Sequence, residues 1–256
     1  MKVLTTYSIK GGVGKTAAAV NLGFLAARDG IRTLVWDLDP QGAASFYFRV
    51  KARVKGGGRN LVRGDRDLDA RIKATDFPGL DLLPADFSYR HLDLELHQTP
   101  KPVKQIARVL KPLAREYDLL IIDCAPSISL VSESVFRAAD VLLVPTIPTP
   151  LSLRTLLQLL RSLRAVRAKR LGVYPFFSMV DRRKALHRRT AELAAEVPIP
   201  FLQTQIPYSS LVEQMGGHRA PLHAYGGRSS PARAFEALWR EVQDWMEEGK
   251  GFYTNE

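Results

Sequence analysis

The stretch of sequence that decides the fold is KVLTTYSIKGGVGKT, residues 2–16. Residues 2–8 are typical of a short buried strand, and residues 16–29 carry a helical pattern that Gly30 closes. Between them, the glycines of GGVGKT let backbone N–H groups turn inward around an anion. The N-terminus of the following helix adds a partial positive charge. The order of strand, loop and helix therefore predicts a phosphate-binding loop.

The last two residues of this loop carry specific chemistry. Lys15 is expected to reach the β- and γ-phosphates of a nucleoside triphosphate, and the Thr16 hydroxyl is expected to bind Mg²⁺. A glycine turn formed by chance is the alternative, but it has no reason to end in Lys-Thr at the start of a helix. The sequence therefore predicts a nucleotide site.

Acidic residues follow two other predicted strands. Asp123 follows the apolar run DLLII, and Asp37 and Asp39 follow the strand predicted over residues 32–36. The carboxyl ends of parallel strands meet at one edge of a sheet, beside the phosphate loop. The candidate Mg²⁺ set is Thr16, Asp37 and Asp123, where a carboxylate can hold a Mg²⁺-bound water. A strand-end acid beside a triphosphate, here Asp37 or Asp39, can also orient or deprotonate the attacking water. For each acid alone, a helix cap or a surface charge is the alternative.

The rest of the chain alternates strands with helices. We expect further strands over residues 80–83, 141–145, 172–179 and 201–206, and further helices over 103–116, 151–169, 184–196 and 231–248. This alternation predicts a single α/β domain over residues 1–256, with a doubly wound, mostly parallel sheet and helices on both faces. Around residues 49–69, where three glycines stand together, we predict a basic, loop-rich insertion.

The last helix has an apolar stripe that includes Phe235, Leu238 and Trp239. Such a stripe either packs on the core or docks on a membrane. Acidic residues on the same helix would repel an anionic bilayer, so we expect a core face.

The composition is that of an ordinary globular protein. Of the 256 residues, 46% are hydrophobic and 25% are charged, and there is one cysteine, Cys124. A single cysteine excludes an internal disulfide and fits a reducing cytosol. The sequence has neither a secretory signal nor an apolar run near the length of a membrane span. We therefore expect a cytoplasmic protein with no membrane association.

The formal net charge of +11 points to a polyanionic partner. Between Arg161 and Arg189 there are ten Lys or Arg residues and one acid, Asp181. A second run, Arg49 to Arg66, has seven cations and one acid. A solvated surface is the alternative interpretation of either run alone. Because the two runs together carry the entire net charge, a surface for a polyanion becomes as good an interpretation as a solvated one.

KGGVGKT, with Lys10 ahead of the loop, is the deviant Walker A motif, and the chain resembles the ParA/MinD family of ATPases over nearly its full length. VWDLDPQGAAS at 35–45 is similar to the A′ motif of that family, and LLIIDCAPS at 119–127 to its Walker B strand. The stretches at 206–221 and 229–242 look like its adenine-side loop and closing helix. Because no DNA-binding domain precedes the phosphate loop, the chain looks most like the short ParA (Soj-type) proteins.

The resemblance implies a role for each matching residue. ATP and Mg²⁺ are the implied cofactors. Lys10 is implied to reach across a dimer interface to the partner's nucleotide, and Asp39 to activate water. The catalytic set is then Lys10, Lys15 and Asp39. The implied nucleotide contacts are Lys10, Gly11, Gly12, Val13, Gly14, Lys15, Thr16, Ala17, Pro207 and Ser209.

The resemblance also implies partners. We expect an ATPase that is slow alone, forms a homodimer on binding ATP and binds double-stranded DNA without sequence preference. A ParB-like or other cargo adaptor protein would stimulate hydrolysis, and the protein would associate with the nucleoid. Arg183, after Asp181, matches a DNA-contacting arginine of the family. With its basic neighbours it gives the candidate DNA-binding set Arg161, Arg164, Arg167, Arg182, Arg183, Arg188 and Arg189.

Some positions depart from the family pattern. Ser209 stands where an asparagine is usual, and Ala125 where a proline is usual. Tyr208 and Leu211 occupy a loop that carries basic residues in Soj-type proteins. We therefore expect the adenine-side contact to differ and DNA contact to shift toward residues 161–189.

Two other classes of function share these motifs. A MinD-like membrane ATPase that positions cell division ends in a basic amphipathic helix, whereas this chain ends in EEGKGFYTNE. An iron–sulfur member needs two cysteines per subunit, and a biotin-synthesis or amidation enzyme would leave the basic runs without a purpose. We therefore expect an ATPase that positions a plasmid, a chromosome or a large protein assembly.

Overall fold

Eight strands form one sheet in the part of the chain that the computed structural model describes, residues 1–63, 68–166, 168 and 171–248. Their order across the sheet is β3-β4-β2-β5-β1-β6-β7-β8, and β3 alone pairs antiparallel to its neighbour. The predicted doubly wound, mostly parallel sheet is confirmed. The strands are β1 (Lys2–Thr6), β2 (Thr33–Asp37), β3 (Lys73–Ala74), β4 (Leu80–Leu83), β5 (Leu119–Asp123), β6 (Val141–Thr146), β7 (Gly172–Val180) and β8 (Gln205–Pro207).

The α-helices of the described residues pack on both faces of this sheet. They are α1 (Lys15–Arg28), α2 (Ala43–Tyr47), α3 (Gly57–Arg63), α4 (Leu92–His97), α5 (Gln105–Leu110), α6 (Leu130–Ala138), α7 (Pro150–Val166), α8 (Ala185–Leu193), α9 (Ser210–Glu213), α10 (Met215–His218), α11 (His223–Gly226) and α12 (Ser230–Glu248). No helix in these ranges is both long enough and apolar enough to cross a bilayer.

The long strands of the sheet are parallel, so their carboxyl ends lie together on one side of the sheet and their amino ends on the opposite side. β1 lies between β5 and β6, and the loop that follows it leads into α1. We call the edge where β1, β2, β5, β6 and β7 end the carboxyl edge, and the opposite one the amino edge. α7 begins after β6 and returns to the start of β7, so its last turns lie near the amino edge.

The apolar stripe of α12 belongs to the core. Phe235, Leu238 and Trp239 are at most 2% exposed and pack with α1 against one face of the sheet. The Trp239 indole Nε1 donates to Asp29 Oδ2 at 2.8 Å, which satisfies its polar atom. The expectation of a core face is confirmed.

Shortening a side chain of this stripe should therefore destabilise the folded protein. We expect Leu238→Ala to lower the free energy of unfolding by about 2–5 kcal/mol, since it removes a fully buried side chain and leaves a cavity. Arg240→Ala, on the exposed side of the same helix, should change it by less than about 0.5 kcal/mol. Urea denaturation of both variants measures the difference, and equal midpoints would remove α12 from the core.

Several predicted elements differ in the structure. The insertion predicted around residues 49–69 contains α3, whose Leu61 and Val62 are buried in the core. The prediction of a loop-rich segment is therefore wrong for residues 57–63. Residues 64–67 of the insertion lie outside the described ranges. The helix predicted over 103–116 is broken into short turns because Pro112 cannot continue it. The strand predicted over 201–206 is shorter in the structure: only residues 205–207 pair, as β8, the outermost strand of the sheet.

Candidate nucleotide site

The phosphate loop fills the gap between Thr6, the last residue of β1, and Lys15, the first of α1. Gly12 and Gly14 have φ values of +68° and +96°, the left-handed region that favours glycine. A Cβ at Gly14 would also lie 2.8 Å from Ser178 Oγ on β7. Both constraints explain why the loop needs these glycines.

Lys15 lies in the floor of this loop. The residue is 7% exposed, and its Nζ donates a long hydrogen bond of 3.5 Å to the Lys10 carbonyl. Burial lowers the pKa of the Lys15 ammonium, while the charges of Asp123 and Asp39 oppose that change. A buried ammonium with this weak hydrogen bond favours a bound anion, because a phosphate would supply the negative charge that compensates for the lost hydration.

Asp37 and Asp123 face each other at the carboxyl edge. The register of β2 and β5 sets them opposite one another, and both side chains are fully buried. Burial raises the pKa of both carboxyl groups, and the neighbouring Asp37 raises that of Asp123 further. Two buried acids side by side call for a positive partner.

The hydrogen bonds of these acids fit a bound Mg²⁺. Asp37 Oδ2 accepts from the backbone N and the hydroxyl of Ser45, both at 2.7 Å, and Asp123 Oδ1 accepts from the Thr6 hydroxyl at 3.3 Å. Asp37 Oδ1 and Asp123 Oδ2 are buried with no hydrogen-bond partner in the described structure. The neighbouring Thr16 hydroxyl acts to lower the pKa of the Asp123 carboxyl, against the effect of burial. A Mg²⁺ ion with its waters would satisfy both free oxygens.

The described residues contain no group of three or more His, Cys, Asp or Glu side chains that could hold a metal. A cation at Thr16, Asp37 and Asp123 would therefore take its remaining ligands from water and the nucleotide phosphates. This is how Mg²⁺ is commonly bound in phosphate-transfer sites. There it would offset the negative charge of the phosphates.

One cavity of about 330 Å³ joins the phosphate loop to the predicted adenine-side loop. Predicted site residues from both ends of the sequence line it: Gly11, Gly12, Val13, Gly14, Lys15, Thr16, Ala17, Asp39, Pro207 and Ser209. Asp39 is half-buried, and its Oδ1 accepts from the Gln41 backbone N at 2.9 Å, which orients the carboxylate. The Ser209 hydroxyl accepts from the Leu211 backbone N at 3.3 Å and so caps α9.

Sequence reasoning missed part of this cavity. Tyr47, Phe176, Met179 and Glu213 also line it, and Ser45 holds Asp37. Met179 has a φ of +55° where the pairing of β7 and β8 shifts register. Its position at the carboxyl end of a parallel strand is the signal that could have identified it. Cys124 is buried, and its Sγ lies 3.2 Å from the Thr5 hydroxyl on β1.

Lys10 points away from the phosphate loop. Its Nζ donates to the Ser152 hydroxyl at 3.3 Å, near the start of α7. Ser152 also shares a hydrogen bond of 2.9 Å with the Thr149 hydroxyl. A cation beside the N-terminal end of a helix meets the partial positive charge of that end, so this contact is weak.

The candidate DNA-binding arginines fall into two groups. Arg182, Arg183, Arg188 and Arg189 follow the carboxyl end of β7 and are exposed. Arg161 and Arg164 lie in the last turns of α7, near the amino edge, and Arg167 lies outside the described residues. The expectation of one basic face is therefore corrected, because α7 carries its arginines to the opposite edge of the sheet.

Together, the glycine loop, the buried lysine and the facing acids define a nucleoside triphosphate-binding protein with an α/β fold. Residues 1–172 match the family model described as AAA domain. The chain is 33% identical over 253 residues to the sporulation initiation inhibitor protein Soj of Bacillus subtilis, covering 94% of this chain and 98% of that protein. It is 31% identical over 251 residues to the chromosome partitioning protein ParA of Caulobacter vibrioides, covering 94% of each.

A solved structure with the same fold is cobyrinic acid a,c-diamide synthase from Mycobacterium smegmatis with bound ADP and magnesium. It aligns with a TM-score of 0.84 at 24% identity, over 100% of this chain and 99% of that one. The chain therefore belongs to the ParA/MinD family of ATPases. As a member of that family it is an ATPase, which confirms the family predicted from the sequence. The predicted cofactors, ATP and Mg²⁺, agree with the ADP and magnesium bound in that solved structure.

Proposed function

We propose that this ATPase forms a homodimer on binding ATP, binds double-stranded DNA without sequence preference, and positions a plasmid, a chromosome or a large protein assembly. A ParB-like or other cargo adaptor protein stimulates its slow hydrolysis, and the protein associates with the nucleoid. The similarity to Soj and ParA, which are named for sporulation and chromosome partitioning, supports this choice within the family.

The observation that carries the dimer proposal is the surface around Lys10. Ile128 and Leu151 are 48% and 58% exposed. Leu151 precedes Ser152, the hydrogen-bond partner of Lys10, and Ile128 lies two residues after Pro126 in the wall of the nucleotide cavity. Exposed apolar side chains beside a functional cavity are typical of an interaction surface. We infer that a second copy of the chain covers this face.

ATP then acts as the switch through Lys10. In the dimer, Lys10 leaves Ser152 and reaches the phosphates bound by the partner. Two lysines per nucleotide, Lys15 of one protomer and Lys10 of the other, neutralise the triphosphate charge. Because the second lysine is available only in the dimer, ATP stabilises the dimer.

The variant Lys10→Ala tests this switch. We expect it to keep measurable ATP binding, because Lys15 and the loop remain, and to stay monomeric with ATP and Mg²⁺. Light scattering with ATP and with ADP measures the mass of the parent and the variant. Lys2→Ala, which removes an exposed lysine at the start of β1, is the matched control and should dimerise like the parent. A Lys10 variant that also dimerises like the parent would show that this lysine has another role.

The DNA proposal rests on the arginines at the carboxyl edge. Arg182, Arg183, Arg188 and Arg189 stand with Lys184 on and before α8, with Asp181 as the single acid among residues 181–189. Asp181 accepts from the Arg183 guanidinium at 2.9 and 3.0 Å, which fixes that side chain at the surface. A dimer that presents these cations on one side has twice as many as a monomer. The DNA affinity of the ATP-bound dimer should therefore far exceed that of the monomer.

Removing two of these arginines should weaken DNA binding. For Arg183→Ala with Arg189→Ala we expect roughly tenfold lower affinity at 0.1 M salt, because fewer counterions are released from the phosphates. The salt slope should fall by about one unit per lost phosphate contact on each protomer. Fluorescence anisotropy with ATP, at two salt concentrations and on two unrelated duplexes, measures both quantities.

The matched control is Arg161→Ala with Arg164→Ala at the amino edge, which removes the same charge. It should bind DNA like the parent. If only this control loses affinity, the DNA surface lies at the amino edge. If neither double variant changes, the basic run at 49–66 is the next surface to test.

The core position of the α12 stripe favours DNA over a membrane as the surface that the ATPase binds, since that stripe is already covered. A liposome pelleting assay beside a DNA gel shift separates the two functions. An adjacent ParB-like gene would favour DNA segregation, and a carboxysome or chemotaxis operon would favour a protein cargo.

A further inference from the structure

A second cavity lies at the amino edge, opposite the nucleotide site. Its volume is about 630 Å³, within the range of small-molecule sites. It opens between the start of β1, α5 and the end of α6. The ATPase proposal gives this cavity no role.

The inner wall of the cavity is apolar. Val3, Leu110, Phe136 and Leu171 line it and are at most 7% exposed as residues, so they form a fixed floor on the core. Ala107 lines the outer part on α5 and is itself exposed. A ligand body that enters here would meet hydrocarbon rather than hydrogen-bonding groups.

The rim of the cavity is cationic. Lys104, Arg108, Lys111 and Arg137 line it, and no acidic side chain is among its lining residues in the described structure. Arg108 and Arg137 lie in the last turns of α5 and α6, where the helix ends favour a cation. That effect does not explain Lys104 and Lys111, which bracket α5.

The sequence around this rim shows the same bias. Residues 98–115 contain five Lys or Arg and no acid. Asp140 follows the lining residue Ala139 but does not itself line the cavity, and its Oδ2 accepts from the Val3 backbone N at 2.8 Å on the sheet. An anionic group at the rim would therefore be attracted by several cations at once.

We propose that this amino-edge cavity is a binding site for an amphipathic anion, a molecule with an apolar body and a carboxylate head. The body fills the apolar cavity and the head pairs with the rim lysines and arginines. The inference concerns a separate site and does not depend on the proposed DNA function.

The same contacts connect this cavity to the nucleotide site. The Phe136 ring packs edge-to-face on Tyr7, with centroids 4.8 Å apart. Tyr7 is fully buried, directly follows β1 at the start of the phosphate loop, and its hydroxyl donates to the Ser127 carbonyl at 2.8 Å. Pro126, next to Ser127, lines the nucleotide cavity. A ligand in the amino-edge cavity would therefore contact the first of a chain of packed groups that ends in the wall of the nucleotide cavity.

Calorimetry with decanoate tests the site on the full, nucleotide-free chain. We expect saturable binding of decanoate, and weaker binding of both decanol, which lacks the charge, and inorganic phosphate, which lacks the body. Ala107→Trp should abolish binding by filling the cavity from an exposed position. Lys104→Glu with Lys111→Glu should weaken it at least tenfold, whereas the exposed Lys51→Glu should not.

Two results would overturn the site. Equal decanoate affinity in Ala107→Trp and the parent would place the ligand elsewhere. If inorganic phosphate bound as tightly as decanoate, the rim cations alone would account for binding and the apolar cavity would contribute nothing. Circular dichroism of each variant separates loss of binding from loss of fold.

The link to ATP has its own test. Saturating decanoate should change the affinity for ATP, and ATP should change the affinity for decanoate by the same factor. Tyr7→Phe, which keeps the ring and removes the hydrogen bond to Ser127, should reduce that factor while decanoate still binds. An unchanged factor in Tyr7→Phe would exclude this route between the two sites.

Discussion

Lys15→Ala should lose ATP binding in the concentration range where the parent saturates. The Lys15 ammonium is buried in the phosphate loop, beside the negative field of Asp123 and Asp39. Removing one partner of a buried ion pair costs about 3–5 kcal/mol. At 1.4 kcal/mol per tenfold, the affinity for ATP should fall by about 10²- to 10³-fold or more.

Calorimetric titration with a non-hydrolysable ATP analogue and Mg²⁺ measures this loss. Lys2→Ala, which removes an exposed lysine from β1, is again the matched control and should bind like the parent. Thermal unfolding without nucleotide should show both variants folded. A folded Lys15 variant that binds the analogue normally would mean that the phosphates lie outside the glycine loop.

Asp39→Ala should separate ATP binding from ATP turnover. Asp39 lines the nucleotide cavity, and the Gln41 backbone N–H fixes its carboxylate by a 2.9 Å hydrogen bond. We propose that this carboxylate orients the attacking water or accepts its proton, as the family resemblance implies. Loss of such a group typically lowers the rate about 10²- to 10⁴-fold. The variant should still bind ATP and form a dimer.

Phosphate release under single-turnover conditions measures the rate, and light scattering measures the dimer. Asp76→Ala, which removes an exposed acid between β3 and β4, is a control that should turn over ATP like the parent. Normal turnover in the Asp39 variant would remove this acid from the mechanism. A variant that no longer binds ATP would instead make Asp39 part of the binding site.

The core of the fold could be predicted because the central strands are easy to recognise in the sequence. β5 and β6 are short, mostly apolar runs that the sheet buries on both faces. β1 leads into the phosphate loop, and β5 ends at Asp123. Lys15, Asp37 and Asp123 could be identified for the same reason, since parallel strands bring their carboxyl ends together.

Other elements depend on contacts that the sequence does not display. α3 forms in a glycine-rich run because Leu61 and Val62 find space in the core, which local propensity does not reveal. The role of Ser45 depends on the turn that brings it back to Asp37, eight residues earlier. The separation of the basic residues depends on the direction of α7, which a count of charges along the chain does not include.

The buried position of Cys124 bears on how the proposed dimer can be observed. Burial raises the pKa of its thiol to about 12, so almost none of the reactive thiolate is present at neutral pH. Maleimide dyes should therefore leave the native residue unmodified. A cysteine introduced on an exposed helix position would carry the dye alone, which allows energy transfer between two protomers to be recorded in the otherwise natural chain.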